Sequence, residues 1–116
     1  MSDARPRRRR EGAGPEVVVI YWRDIPAQVN AQRDRDRHQV LLPAQFQRAI
    51  DRAKRKAKIY TAQEDVAQWR RESRPCGDDL AEEATAEAAR LVEAYPSARL
   101  GTIAFAGGRD DTAPDA

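Results

Sequence analysis

The sequence predicts an α+β domain: a small, mostly antiparallel four-stranded sheet with helices on one face. Two observations predict this class. Short strand-like segments joined by turns come first, and longer segments with helical periodicity follow. The expected order is β-β-β-α-α-α-β. The 116 residues suit one domain, assigned to 16–106, between a basic tail at 1–15 and an acidic tail at 107–116, both expected to be disordered.

Three strands are expected in the first third of the chain. Residues 17–22 are apolar without alternation, which is typical of a strand covered on both faces and therefore central in its sheet. A turn at Pro26 leads into an alternating strand at 27–32, and a third short strand covers 38–42. If a closing strand pairs beside the first, the order is 4-1-2-3 and one face of the sheet meets water or a partner.

Two helices are expected after the third strand. Pro43 suits the first turn of a helix whose apolar residues recur at i, i+4, i+7 and i+11 and whose opposite face is basic. Thr61 and Glu64 form a capping box that opens the second helix. The second helix is expected to run past Trp69, with Val66 and Trp69 facing the core.

A third helix and a closing strand are expected in the last part of the domain. Asp79 and Glu82 repeat the capping signal, and a stripe of Leu and Ala follows until Pro96 stops the helix. Residues 100–106 alternate loosely between apolar and polar positions, and we interpret them as the fourth strand.

Charge is distributed unevenly along the chain. Residues 1–74 carry 18 basic and 10 acidic side chains, a net charge of +8, whereas residues 75–116 carry 3 and 9, a net charge of −6. Three basic segments, namely the arginine tail, the loop at 33–37 and the first helix, together indicate nucleic-acid or anion binding. Against this interpretation, no aromatic residues for base stacking are interleaved with these cations. The candidate basic surface consists of Arg48, Arg52, Lys54, Arg55, Lys56 and Lys58.

Catalytic chemistry finds little support in the sequence. Cys76 precedes an expected helix N-terminus, which can lower the pKa of a thiol, so a reactive thiol is one interpretation and an incidental loop cysteine the other. His38 is the single histidine, and the paired carboxylates lie on expected loops, caps and tails. We therefore expect no catalytic residues, no metal site, no cofactor and no enzymatic activity by this chain alone.

The expected location is the cytoplasm. No apolar run approaches the roughly 18 residues of a membrane helix, and no apolar segment follows the N-terminal arginines as in a secretory signal. The unpaired cysteine is consistent with a reducing compartment. A composition rich in Arg and Ala suggests a bacterial source.

Two blocks of the sequence resemble the small bacterial domain family called virulence factor. The more specific block is W-R-D-I-P-A-Q at 22–28, and the second is L-P-x-x-F-x-x-A-I-D-x-A at 42–53. Tyr60 and Q-W-R-R at 68–71 resemble a further element, so the resemblance spans roughly 17–95. The family usually has a Gly-containing basic loop between strands two and three. In this chain that loop contains acidic residues, which disfavours anion binding there.

The resemblance implies an association with bacterial pathogenicity rather than a known reaction. We therefore expect a non-enzymatic adaptor or accessory domain that acts through protein–protein contacts. Two alternatives stay open. One is the nucleic-acid or anion-binding module. The other is an accessory subunit of a folate- or corrinoid-dependent methyl-transfer enzyme, because similar proteins accompany such genes.

The W-R-D turn is the candidate recognition site, because a rigid strand end can present polar groups to a partner. The candidate patch consists of Trp22, Arg23, Asp24, Pro26, Gln28, Arg48 and Asp51. The alternative is that Arg23 and Asp24 cap the hairpin and pair with the first helix, for instance with Asp51. Trp22 and its neighbours on the same sheet face are also expected to form a homodimer or partner surface, which sedimentation would test.

Overall fold

The computed structural model describes residues 14–110, and within them it contains four strands and four helices. The strands are β1 (Glu16–Trp22), β2 (Ile25–Arg33), β3 (Asp36–Leu41) and β4 (Trp69–Pro75), and the helices are α1 (Ala44–Lys56), α2 (Ala62–Val66), α3 (Leu80–Ala94) and α4 (Ser97–Phe105). None of the helices in this described part is long and apolar enough to cross a membrane. Of the tails predicted at 1–15 and 107–116, residues 1–13 and 111–116 lie outside the described residues.

The sheet is four-stranded and antiparallel throughout, in the order β3-β2-β1-β4. The predicted fold class is therefore confirmed, including the central position of the apolar first strand. Val17, Val18 and Val19 of β1 are buried, as expected for a strand with neighbours on both sides. Two tight turns connect β1 to β2 and β2 to β3, so these three strands form the two predicted hairpins.

The fourth strand is residues 69–75 rather than the predicted closing segment, so the predicted element order is wrong in its second half. β4 pairs with β1 along its whole length, from Glu16 opposite Pro75 to Trp22 opposite Trp69. The predicted second helix shrinks to the five residues of α2. Its capping box is present, but Val66 is 68% exposed and does not face the core. A segment without an apolar stripe gains little as a helix, whereas pairing satisfies the open edge of β1.

Residues 97–105 form the helix α4 instead of the predicted closing strand. Leu100, Ile103 and Ala104 are all buried, and their spacing of i, i+3 and i+4 is helical. Gly107 and Gly108 end the helix with φ of 74° and 96°. Their N–H groups donate to the carbonyls of Ala104 and Ile103 at 2.9 Å each, which is a Schellman cap. The two glycines therefore form the C-terminal cap of α4, whereas the sequence predicts that they begin the acidic tail.

Helix α3 covers the sheet face that carries Val17, because Glu87 of α3 accepts a 2.8 Å hydrogen bond from Arg74, the cross-strand neighbour of Val17. The predicted cap of α3 is confirmed: the Asp79 carboxylate accepts from the backbone N–H of Glu82 at 3.1 Å. Helix α1 packs against α4 and against β2. The core therefore lies between the sheet and the helices. Its apolar residues come mainly from β1, β2, α1, α3 and α4.

Candidate functional site

The W-R-D turn joins β1 to β2, and its backbone is strained at Arg23. This residue has a φ of 54°, in the left-handed region that few residues other than glycine adopt. Trp22 pairs with Ile25 at the base of the turn. A strained conformation of this kind persists when its surroundings hold it in place, so the contacts of the turn explain why it forms.

Arg23 ties the turn to two distant parts of the chain. Its backbone N–H donates to the Gln68 carbonyl at 2.9 Å, and its Nε donates to Gln68 Oε1 at 2.9 Å. Its Nη1 donates to the carbonyl of Gly107 at 3.0 Å. The guanidinium also lies 5.3 Å from the centre of a Trp22 ring. The side chain therefore anchors both the start of β4 and the end of α4.

Asp24 continues this network on the other side of the turn. Its N–H donates to the Gly108 carbonyl at 2.9 Å, and its Oδ2 accepts from the N–H of Asp110 at 2.8 Å. Arg70 of β4 donates from Nη2 to Asp24 Oδ1 at 3.3 Å and from Nε to the Arg23 carbonyl at 2.8 Å. Residues 107–110, which the sequence analysis assigns to the acidic tail, are thus part of the folded domain.

Two members of the predicted recognition patch are inaccessible. Trp22 is 0% exposed, and Pro26 is among the fully buried side chains. Trp22 itself is therefore not part of a homodimer or partner surface, because this indole packs inside the domain. Association through other residues stays a prediction. The sequence placed it on an open sheet face. In the structure, Lys54 of α1, Asp65 of α2 and Gly108 after α4 lie against the indole.

The other predicted patch residues do not form a single site with the turn. Gln28 is half-buried on β2, while Arg48 and Asp51 are exposed on α1. Asp51 accepts a 3.0 Å hydrogen bond from Gln47 Nε2 on the same helix. Asp51 therefore does not pair with the turn as predicted. Arg23 and Asp24 are bound instead by groups at the start of β4 and by residues after α4.

The strain and the contacts of Arg23 can be measured separately. Arg23→Ala removes the side-chain bonds and keeps the strain, so we expect a loss of about 2–3 kcal/mol in the free energy of unfolding. Arg23→Gly removes the same bonds but relieves the left-handed strain, and we expect it to be about 1 kcal/mol less destabilised than the alanine variant. Urea denaturation of both variants measures the difference. An alanine variant as stable as the glycine variant would contradict a strained backbone at this residue.

Asp65, directly before the C-terminal end of α2, joins the buried indole to the first helix. Trp22 Nε1 donates to Asp65 Oδ1 at 2.8 Å, and Lys54 Nζ lies 3.0 Å from the same oxygen. The Lys54 ammonium also sits 5.9 Å from the ring centres of Trp22 and Trp69. Burial raises the pKa of Asp65, but the hydrogen bonds from Lys54 and Trp22 outweigh it, and the net pKa is lowered.

This lowered pKa makes the contribution of Asp65 depend on pH. Asp65 stabilises the domain fully above its unfolded pKa of about 3.9, and this stabilisation is lost as the pH falls through the lower folded value. We expect Asp65→Asn to cost about 1–3 kcal/mol at pH 7 and clearly less at pH 2.5. Urea denaturation at both pH values measures this, with Asp51→Asn as the exposed control. An Asp65→Asn loss that is equal at both values would contradict the ionic role.

The exposed basic helix surface comprises five of the six predicted cations: Arg48, Arg52, Arg55, Lys56 and Lys58. Within residues 14–110 these five make no ion pair, whereas Lys54 turns inward to Asp65 and leaves the surface. Lys56 Nζ lies 4.1 Å from the ring centre of Phe105 on α4, whose side chain is 70% exposed. The fold therefore places the Phe105 ring beside Lys56, although 49 positions separate the two residues in the sequence.

The basic loop between β2 and β3 lies at the other end of the sheet. The turn after Arg33 adjoins the Glu16 end of β1, whereas α1 starts after Leu41, at the end where Gln28 and Ile20 pair. Arg33 is further engaged with Asp78 at 3.0 Å. The basic loop and the basic helix surface therefore do not form one continuous phosphate-binding track.

The candidate nucleophile has an unsuitable environment. Burial and the nearby carboxylate of Glu83 raise the pKa of the Cys76 thiol, contrary to the lowering expected before a helix N-terminus. His38 is exposed on β3, and Asp79 is engaged as a helix cap. In the described part of the chain, no three residues of the types His, Cys, Asp and Glu are grouped in a way that could hold a metal ion.

Several residues that hold the W-R-D turn or adjoin the basic helix surface are not among the predicted site residues. Gln68, Arg70 and Gly107 hold Arg23, and Phe105 adjoins the basic helix surface. The signal for Gly107 was present, since two glycines follow apolar residues at helical spacing. Nothing local indicates that Phe105 lies beside Lys56, because 49 positions separate them in the chain.

Comparison with known proteins identifies one family. The family model described as "Virulence factor" matches residues 20–104, which is most of the chain. The match includes the W-R-D turn, α1 and all of α4 except its last residue, Phe105. No curated protein matches the sequence significantly. No solved structure matches it significantly either.

Proposed function

Because the chain belongs to the virulence factor family, we propose that it is a non-enzymatic adaptor or accessory domain that acts by binding another protein. One observation carries this proposal: Phe105 is 70% exposed and lies 4.1 Å from the ammonium of Lys56, which makes no ion pair within residues 14–110. An apolar anchor surrounded by charged groups is a common composition of protein interfaces. By contrast, the W-R-D turn is occupied with holding the fold together.

The proposal predicts that a partner depends on Phe105. The full chain is used to capture proteins from its native organism, and each captured protein is then purified and its affinity measured by calorimetry. Phe105→Ala is expected to weaken binding at least tenfold, which corresponds to about 1.4 kcal/mol. Leu41→Ala is the matched control, because Leu41 is 68% exposed on β3. We expect it to bind within about twofold of the original chain.

The possible results separate the candidate functions. Failure of every purified candidate to bind would overturn the proposal, and a partner weakened only by Leu41→Ala would move the interface to the sheet. Recovery of a folate- or corrinoid-dependent methyl-transfer enzyme would identify the domain as an accessory subunit of that enzyme.

Nucleic-acid or anion binding is the second candidate, and the position of Phe105 favours it. An aromatic ring beside Lys56 could stack with a base while neighbouring cations meet phosphates. A fluorescence-anisotropy titration with single-stranded dT20 at low salt tests this function. Absence of binding at micromolar protein concentrations would remove it.

A further inference from the structure

We propose that the partner docks an acidic amphipathic helix on the surface formed by Arg48, Arg52, Arg55 and Lys56 of α1 and by Phe105 of α4. This inference rests on the proposed function and specifies the chemistry of the partner. Three features support it: the spacing of the cations, the one carboxylate among them and the exposed ring of Phe105.

The arginines of α1 are spaced like one face of a helix. Arg48, Arg52 and Arg55 stand at i, i+4 and i+7, all are exposed, and none pairs with a carboxylate in the described part of the chain. They span roughly 10 Å along the helix axis. Carboxylates at the same spacing on a partner helix would meet them one by one, and paired guanidinium–carboxylate contacts are strong and directional.

The helix dipole does not account for this arrangement. Cations in the last turn of a helix interact favourably with its C-terminal end, and this explains the positions of Arg55 and Lys56 in α1. Arg48 and Arg52 lie before that last turn, where the effect has faded. Their placement in line with Arg55 therefore fits an external acidic partner better than it fits stabilisation of α1 itself.

One carboxylate within the surface favours protein over nucleic acid. Asp51 is exposed on α1, one residue before Arg52, and its nearest described partner is the neutral amide of Gln47. A phosphate backbone lying along these arginines would be repelled by Asp51. A partner helix can place a lysine opposite Asp51, so a pattern of mixed charges selects a protein with the complementary pattern.

Phe105 supplies the apolar half of the surface. The ring is 70% exposed and lies 4.1 Å from the Lys56 ammonium, so α1 and α4 present charge and apolar area side by side. The ends of these helices adjoin, since a Cβ built on Gly107 would lie 3.4 Å from Ala57 Cβ. A helix lying along both would cover the ring with an apolar side chain while its acidic face meets the arginines.

The test uses a fluorescent synthetic 18-residue helical peptide with Glu at i, i+4, i+7 and i+11, a Leu stripe and one Lys placed to meet Asp51. Binding to the full chain is measured by anisotropy in 50 mM and 200 mM salt. We expect a dissociation constant of tens of micromolar or lower at 50 mM salt. The double variant Arg52→Glu/Arg55→Glu is expected to weaken binding at least tenfold, and Phe105→Ala at least threefold at both salt concentrations.

The matched control is Arg35→Glu/Arg37→Glu, which changes the net charge equally at the far end of the sheet. We expect it to bind within about twofold of the original chain. Equal weakening by the two double variants would overturn the inference, because binding would then follow net charge alone. A scrambled peptide of the same composition that binds equally well would overturn the helical part of the proposal.

Two other occupants are tested in parallel. Displacement of the peptide by dT20 with a lower dissociation constant would assign the surface to nucleic acid. Salt-sensitive dimerisation in sedimentation that Arg52→Glu/Arg55→Glu abolishes would assign it to a second copy. A captured protein partner that binds this double variant normally would defeat the inference and leave the proposed function intact. Failure of every captured candidate to bind, with normal peptide binding, would defeat the function instead.

Discussion

Trp22→Ala is expected to lower the free energy of unfolding by about 3–5 kcal/mol, close to the whole stability of many small domains. The indole is fully buried among apolar residues of the core, so its removal leaves a large cavity. It also deprives Asp65 of the 2.8 Å hydrogen bond from Trp22 Nε1. Urea denaturation followed by far-ultraviolet circular dichroism measures the loss without depending on tryptophan fluorescence.

Trp69→Ala is the matched control for this prediction. Trp69 lies directly opposite Trp22 in the sheet but is 37% exposed on an edge strand, so we expect a loss of roughly 1 kcal/mol. Trp22→Phe keeps most of the packing and remains measurable if the alanine variant does not fold. Equal losses for the two alanine variants would show that Trp22 is not the central packing residue of the domain.

Gly108→Ala is expected to be the second most destabilising change, with a loss of about 2–5 kcal/mol. Two effects combine at this residue. Gly108 has a φ of 96°, which strains any L-residue, and a Cβ there would lie 2.8 Å from Trp22 Cζ3 and 3.2 Å from Arg23 Cδ. The variant would therefore disturb the Schellman cap, the buried indole and the anchor of the W-R-D turn together.

Gly101→Ala provides a control with the opposite sign. Gly101 lies inside α4, and no atom comes within 4 Å of a Cβ built on it. Alanine is the better helix former, so we expect a gain of about 0.5–1 kcal/mol. Thermal and urea denaturation of the two variants compare them directly. A Gly108→Ala variant as stable as the original chain would contradict the described packing of residues 107–110 against Trp22.

These predictions give the distinctive block of the sequence a structural role. Trp22 fills the core, Arg23 holds Gln68 and Gly107, and Asp24 holds Arg70 and residues after α4. The W-R-D block, which lies within the region matched by the family model, is thus explained by its contacts within the fold. A binding function is better sought on the exposed surface of α1 and α4.

The number of strands and the central position of β1 are predicted correctly, although the wrong segment is predicted as the fourth strand. The apolar, non-alternating β1 indicates a central strand, and a central strand requires a neighbour on each side. Local periodicity does not indicate which segment pairs with β1 on the side opposite β2. Residues 69–75 are all exposed and four of the seven are charged, so this edge strand has none of the apolar alternation that predicts strands elsewhere.

The sequence by itself determined the fold class, the two hairpins, the apolar stripe of α1, both capping signals and the family. Each of these depends on local periodicity, turn chemistry or a contiguous motif. Such signals can be recognised without knowing which residues are in contact in the folded domain. Only the tertiary structure decided which segment closes the sheet, that Trp22 is buried, and that Phe105 lies beside Lys56. These three facts depend on contacts between residues far apart in the chain, such as Trp22 with Asp65 and Lys56 with Phe105, where backbone pairing and burial override local preference.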